Sequence, residues 1–336
     1  MKTIKFFCSQ IFITCVIILC GCTKSSGTVD PSPAPPPAPS SFHGVRIYII
    51  STGDIHEYSQ NLAGLATLVK NIRDTASFVY FVLAGDFFMA HRSYDVKRCN
   101  GQTDKSIRPD LKVPSDSDHV YDGKAESRIV DYLNFDAIVP GNHDWTYGIA
   151  LLANPKLKRK IVACNLGQPE NLAADYLTFS SKQCKFRLNI IGVAATDNIH
   201  SKGDETVRVY SATTSTSLSK IKSAIAKADM NILLTHLLSG DDAGLFSSIT
   251  GARGEALFDV LCGGHTHESF ARLTGNAAFI KAGIYGTYAG IACLWWDTVK
   301  TEVVKKTASL VCLENIPKDQ RTLALTDSLH RVYPHY

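Results

Sequence analysis

The feature that most constrains this chain is a pattern repeated at five points: a short apolar run stops, often at a glycine, and then delivers Asp, His or Asn. Tyr48-Ile49-Ile50 leads to Gly53-Asp54-Ile55-His56, and Phe81-Val82-Leu83 to Gly85-Asp86. Ile138-Val139-Pro140 leads to Gly141-Asn142-His143-Asp144, and Ile232-Leu233-Leu234 to Thr235-His236. Val260-Leu261-Cys262 leads to Gly263-Gly264-His265-Thr266-His267. Runs of this length, rich in Val, Ile, Leu and aromatics, are buried strands. In open α/β sheets ligands gather beyond the carboxyl ends of such strands. Glycine there permits a sharp turn and a close approach.

The remaining elements alternate in the same way. Val45 to Ile50, Phe78 to Leu83, Ala137 to Val139 and Lys160 to Cys164 read as strands, as do Leu188 to Ala194, Asn231 to Thr235 and Asp259 to Cys262. Ala63 to Ile72, Ser127 to Leu133, Leu218 to Ala228 and Leu323 to Val332 carry helical spacing. Ala277 to Lys281, Gly290 to Trp296 and Thr301 to Leu310 read as a closing antiparallel run. The interleaving predicts an α/β fold with some antiparallel pairing. Residues 91–122 are polar and punctuated by Pro and Gly, and read as one long loop that could cover the site.

The residue types delivered at the strand ends suit a metal centre. A carboxylate can bridge two divalent cations while imidazoles and an amide oxygen complete each shell. Two cations about 3.5–4 Å apart can clamp a phosphoryl group and lower the pKa of a bound water. Asp-x-His and Gly-Asp are weak signals alone. Gly-Asn-His-Asp is stronger, and Gly-Gly-His-Thr-His after an apolar strand is strong. A lone histidine such as His236 is ordinarily a satisfied core residue; the Gly-His-x-His downstream makes it a candidate ligand. No thiol joins the set, which argues against a structural zinc site. His91 and His119 read as solvated loop residues. His43, His200, His330 and His335 have no such context. Nucleophile-elbow, phosphate-loop and H-E-x-x-H motifs are absent.

In this order the five motifs resemble the calcineurin-like metallophosphoesterase superfamily. Within it they are most similar to the N-terminal catalytic domain of bacterial 5′-nucleotidases. The resemblance covers roughly residues 45–310, supported by Gly141 through Gly148, Val162 through Leu166, Ile191 through Ala194 and Lys281 through Gly286. It implies a four-layer αββα sandwich of two mixed sheets flanked by helices. It also implies that Asp54, His56, Asp86 and His267 hold one metal, and that Asp86 bridges to a second completed by Asn142, His236 and His265. Mn, Fe, Co or Zn would suit these ligands. A metal-bound hydroxide would attack a phosphomonoester or phosphodiester. His143 would touch the phosphate and serve the leaving oxygen, with Asp144 holding its imidazole.

Two positions depart from the family: Gly53 stands where Asn is usual before the first Asp, and Glu57 where Gly is usual after the first His. The chain stops soon after its closing strands, so the nucleotidases' C-terminal domain is not expected. Nucleotide recognition therefore does not transfer. Two further readings stay open: a nucleotidase or cyclic-nucleotide phosphodiesterase proper, and a ligand-binding surface lipoprotein without catalysis.

The amino terminus points to export. Lys2 and Lys5 precede an apolar stretch from Phe6 to Leu19, too short to span a bilayer comfortably. Leu19-Cys20-Gly21-Cys22 resembles a bacterial lipobox, implying cleavage after residue 21 and acylation of Cys22, which would anchor the chain to a membrane facing the periplasm or cell surface. Residues 22–43 read as a tether, with six prolines between Pro31 and Pro39. Residues 44–336 are left as the catalytic domain. The formal net charge of +4 and the lack of basic runs give no nucleic-acid footprint. Six of the ten cysteines lie beyond Cys22. An even count suits an oxidising compartment, with Cys164–Cys184 and Cys293–Cys312 as the first pairs to test.

Overall fold

The structure, a computed structural model, describes residues 42–56, 61–88, 99–100, 102, 123–197, 199 and 205–332. The leader, Cys22, nearly all of the tether, Glu57 and most of the 91–122 loop, with His91 and His119, lie outside them. Among the described residues no helix is long and apolar enough to cross a membrane.

The elements run β1 (Gly44–Thr52), α1 (Leu62–Thr75), β2 (Phe78–Leu83), α2 (Lys124–Leu133), β3 (Ala137–Ile138), α3 (Ile149–Leu152) and α4 (Pro155–Lys158). There follow β4 (Leu166–Gln168), β5 (Tyr176–Ser181), β6 (Phe186–Val193), β7 (Arg208–Val209), α5 (Ser215–Ile225), β8 (Met230–Thr235) and α6 (Ser239–Ser248). The chain closes with β9 (Val260–Gly263), β10 (Ser269–Thr274), β11 (Ala277–Ala282), β12 (Tyr288–Asp297), β13 (Glu302–Cys312) and α7 (Gln320–Val332).

Two mixed sheets form the centre. The first has the order β13-β12-β1-β2-β3 and the second β10-β11-β9-β8-β6-β5. β1, β2 and β3 are parallel in one, β6, β8, β9 and β11 in the other. Alternation along the strands explains the layers. Ile47 and Ile49 of β1 enter the core between the sheets with Val82, Ile190, Ile232, Val260 and Trp296. Ile50 faces the other way, against Leu65, Leu68 and Ile72 of α1 and Ile129 of α2. Leu233 and Leu261 leave the second sheet on its far side, against Ile221 of α5 and Leu245 of α6. These central strands are buried on both faces, so their runs are continuous rather than alternating. The expected four-layer αββα sandwich of two mixed sheets is the observed arrangement.

Several details differ from the sequence reading. Residues 160–164 make only single bridges, Ile161 to Ile138 and Val162 to Ala174, rather than a strand. The closing run is divided: β11 lies in the second sheet, β12 and β13 in the first. Both expected cysteine pairs are wrong. Cys164 packs in the helix-side core of the second sheet and Cys184 between the sheets. Tyr288 is opposite Cys312 and Cys293 opposite Thr307, so Cys293 and Cys312 are about 17 Å apart along the ladder, far beyond disulfide reach. Cys312 instead bonds Cys99, with Cα atoms 6.0 Å apart. That bond ties the loop after β2 to the end of β13, and Cys164, Cys184, Cys262 and Cys293 are buried thiols.

Candidate metal centre

The parallel strands bring their carboxyl ends to one edge, and the loops beyond them continue the pairing. Asp54 N donates to Gly85 O at 2.9 Å, His56 N to Asp86 O at 3.0 Å, and Gly264 N to Thr235 O at 3.1 Å. The candidate residues are thereby laced together backbone to backbone. Five of them, Asp54, His56, Asp86, His265 and His267, have φ between 48° and 74°. Left-handed backbone in a non-glycine residue costs about 1–2 kcal/mol. It persists where the surroundings over-determine it and clusters at functional sites.

The seven candidate ligands assemble as two groups of donors. Ligand atoms of Asp54, His56 and His267 lie within 4.8 Å of one another, as do those of Asp86, His236 and His265. His56 Nε2 and His267 Nε2 are 3.3 Å apart. Asn142 Oδ1 is 3.0 Å from His265 Nδ1, joining the second group. Asp86 Oδ2 is 3.1 Å from His236 Nε2 and 3.8 Å from His56 Nε2, so one carboxylate oxygen faces both groups. Cys99, Cys312 and Glu314 also come close together, but their two sulfurs are joined in the disulfide.

His236 tests whether the pocket suits a cation. Its Nδ1 is 2.6 Å from Ala84 O. A carbonyl only accepts, so Nδ1 carries the hydrogen. The fully buried Nε2 then has no hydrogen-bond partner, yet it faces Asp86 Oδ2 at 3.1 Å and Asp54 Oδ1 at 3.9 Å. A nitrogen lone pair directed at two carboxylates is repulsive until a positive charge lies among them. Protons alone satisfy this only through large shifts. Burial would depress the His236 pKa, but the carboxylates of Asp86 and Asp54 raise it to about 10. Burial lifts Asp54 to about 7, with Asp86 adding to the rise. Burial also acts against ionisation of Asp86, but His236, His56 and His143 hold its carboxyl well below the usual range. A divalent cation would replace those protons and resolve the conflict, and the residues fit one.

His143 is buried beside the first group, edge-on to His56 with ring centroids 5.1 Å apart, and belongs to neither donor group. Asp144 is held by backbone amides of two loops. Its Oδ2 accepts from Asp86 N and Gly141 N, and its Oδ1 from Phe87 N and Phe88 N, at 2.8–3.1 Å. With both oxygens so occupied, the carboxylate braces the β2 and β3 loops against each other. Burial and the nearby Asp86 raise its pKa to about 6.

Two features escape sequence reasoning. Asp197, just beyond β6, places Oδ2 3.1 Å from His265 Nε2; it is a carboxylate after an apolar strand, but no flanking glycine marks it. Behind the histidine loops, Lys281 and Asp242 form an ion pair at 2.9 Å with side chains 1% and 0% exposed. Its only sequence signal is a lysine inside the apolar run of β11.

A family model described as calcineurin-like phosphoesterase matches residues 47–269. Among curated proteins no match is found. Among solved structures, the chain is similar to a 5′-nucleotidase precursor from Thermus thermophilus, with TM-score 0.63, 20% identity, and coverage of 86% of this chain and 59% of that one. It is also similar to the calcineurin-like phosphoesterase YfkN from Bacillus subtilis, with TM-score 0.62, 18% identity, and coverage of 86% and 97%. A third similar structure is the Thermus thermophilus sulfate thiohydrolase SoxB, with TM-score 0.62, 13% identity, and coverage of 87% and 61%. The chain thus spans about three-fifths of the length of the first and third. At these identities the likeness is one of fold.

Proposed function

Because the chain belongs to the calcineurin-like phosphoesterase family, whose members are metal-dependent phosphoesterases, we propose that it hydrolyses a small-molecule phosphate ester outside the cytoplasm. Asp54, His56 and His267 would hold one divalent ion. Asn142, His236 and His265 would hold another, with Asp86 shared between them. Mn, Fe, Co or Zn suits this nitrogen and oxygen set. The ions, when bound, supply charge neutralisation at the phosphate and a water of lowered pKa.

The chain's own residues supply the rest. His143, beside the first group, contacts a phosphate oxygen and donates a proton to the departing ester oxygen. Asp144 holds the Asp86 and Gly141 backbone in place, so the shared carboxylate and Asn142 keep their spacing. The observation that carries this reading is the buried His236 Nε2, which lacks a hydrogen-bond partner and faces two carboxylates.

The names of similar structures support a nucleotide among the candidate esters. Export with a lipid anchor at Cys22 rests on the leader, and the Cys99–Cys312 disulfide supports an oxidising compartment.

The test is a panel of aryl mono- and diesters, nucleotides, cyclic nucleotides and sugar phosphates, given to the domain from residue 42. It is run with Mn2+ or Zn2+, with chelator, and beside Asn142→Ala and His143→Ala. Metal-dependent turnover that collapses in both variants is expected. Metal uptake without turnover on any ester would reject the catalytic reading in favour of a ligand-binding lipoprotein.

A further inference from the structure

Three of the proposed ligands, His236, His265 and His267, lie on two loops that meet a single buried ammonium. Lys281 Nζ donates to Leu237 O at 3.1 Å, Gly264 O at 2.9 Å and Thr266 Oγ1 at 2.9 Å. Its three hydrogens are thereby used, and Asp242 Oδ2 lies 2.9 Å away as counter-charge. The other oxygen of Asp242 accepts from Thr235 Oγ1 at 2.7 Å.

The positions of these partners are telling. Thr235 and Leu237 flank His236. Gly264 and Thr266 flank His265, and Thr266 also precedes His267. Every histidine of the two loops thus has a nearest neighbour bonded to this pair, while neither Lys281 nor Asp242 belongs to a donor group.

A buried ion pair is a poor source of stability, since desolvation offsets its attraction and apolar residues of like volume often do as well. An apolar pair, however, could not bond two loop carbonyls and two threonine hydroxyls at once. We propose that Lys281 and Asp242 are positioning residues, whose role is to fix the spacing of His236, His265 and His267 for metal binding. This rests on the metal-centre reading above. Partners that orient metal ligands from behind typically change affinity by about 10–100-fold when lost.

The test compares the full chain with Lys281→Met/Asp242→Asn, which removes both charges together and leaves an amide oxygen able to accept from Thr235. Chelator-stripped proteins are melted, titrated with Mn2+ by calorimetry, and loaded with Co2+ for visible absorption. Without metal the melting temperature should fall modestly, because the buried Leu237 carbonyl loses its donor while Gly264 O keeps the Thr266 N–H. Mn2+ affinity should fall about 10–100-fold, and the Co2+ spectrum should change. Unchanged affinity and spectrum in a folded double variant would overturn the proposal. If the double variant does not fold, Thr266→Val decides, since it removes one Lys281 bond and no charge. Because it also removes the Thr266 contacts with Glu268 and Ser239, Glu268→Gln is run beside it and should bind Mn2+ as the wild type does. A Mn2+ affinity weakened in Thr266→Val alone then supports the proposal, and one unchanged or equally weakened in both overturns it. Wild-type protein that takes up no Mn2+ would refute the metal-centre reading itself, whereas normal wild-type uptake matched by the variants refutes this inference alone.

Discussion

Gly141→Ala should damage the centre without replacing a ligand. A Cβ at residue 141 would lie 2.1 Å from Asp86 Oδ1 and 2.7 Å from both its Cγ and its backbone nitrogen. Reaching an ordinary 3.4 Å contact requires an opening of about 1.3 Å. Asp86 cannot readily supply it. Its Oδ1 accepts from His143 N at 2.9 Å, its own N donates to Asp144, and its backbone is already left-handed. Overpacking of this kind costs about 1–3 kcal/mol. At about 2–4 °C per kcal/mol for a domain of this size, the melting temperature should fall by roughly 2–12 °C. The shared carboxylate would shift with it, and a displacement near 1 Å costs on the order of 100-fold in rate. The assay is a thermal melt together with turnover over a range of Mn2+ concentrations. Gly244→Ala is the control: it lies inside α6, its Cβ meets nothing within 4 Å, and it should gain about 0.5–1 kcal/mol. A Gly141→Ala protein with wild-type turnover and metal dependence would refute the idea that loop packing sets the position of Asp86.

Other expectations follow from the same geometry. Asp144→Asn offers one acceptor oxygen where the carboxylate offers two, stranding two of four backbone N–H groups. At about 1–3 kcal/mol each, the loss is about 2–6 kcal/mol; a normal melt with only an altered pH profile would refute the bracing role and favour steering of the His143 imidazole. Unfolded without reductant, the chain from residue 42 should expose four thiols, and six after reduction. In the folded state Cys164, Cys262 and Cys293 should resist alkylation at neutral pH, because burial raises each to about 12; fast labelling would contradict that burial. Chelation should lower the melting temperature, since an ion held only by the folded state stabilises it by mass action, by about 2.7 kcal/mol at a hundredfold excess over Kd. No shift would argue that the ligands are not assembled around metal.

Much of this protein was legible along the chain. Strands buried on both faces must be continuously apolar, so β1, β2, β8, β9 and β12 declared themselves. The polar residues at the ends of four of these runs and of short β3 stood out because a core strand has no other reason to stop at Asp or His. The donors in one group are local to strand ends, and knowing that parallel strands share an edge is enough to gather them. Edge strands were hidden: β5 and β10 are half polar, and only pairing with β6 and β11 makes them strands. Helix α6 was hidden too, since its Gly- and Ser-rich sequence buries only Asp242 and Leu245. What tertiary structure alone decided is whatever depends on distance between remote residues. Cysteine pairing waits on the register of β12 and β13. Asp144 has a role only once the β2 and β3 loops lie side by side. Lys281 and Asp242, 39 positions apart in the chain, acquire meaning only when β11 packs behind the loops after β8 and β9. Sequence spacing fixes which residues one strand end presents; the energies that hold two strand ends together arise from contacts that spacing does not encode.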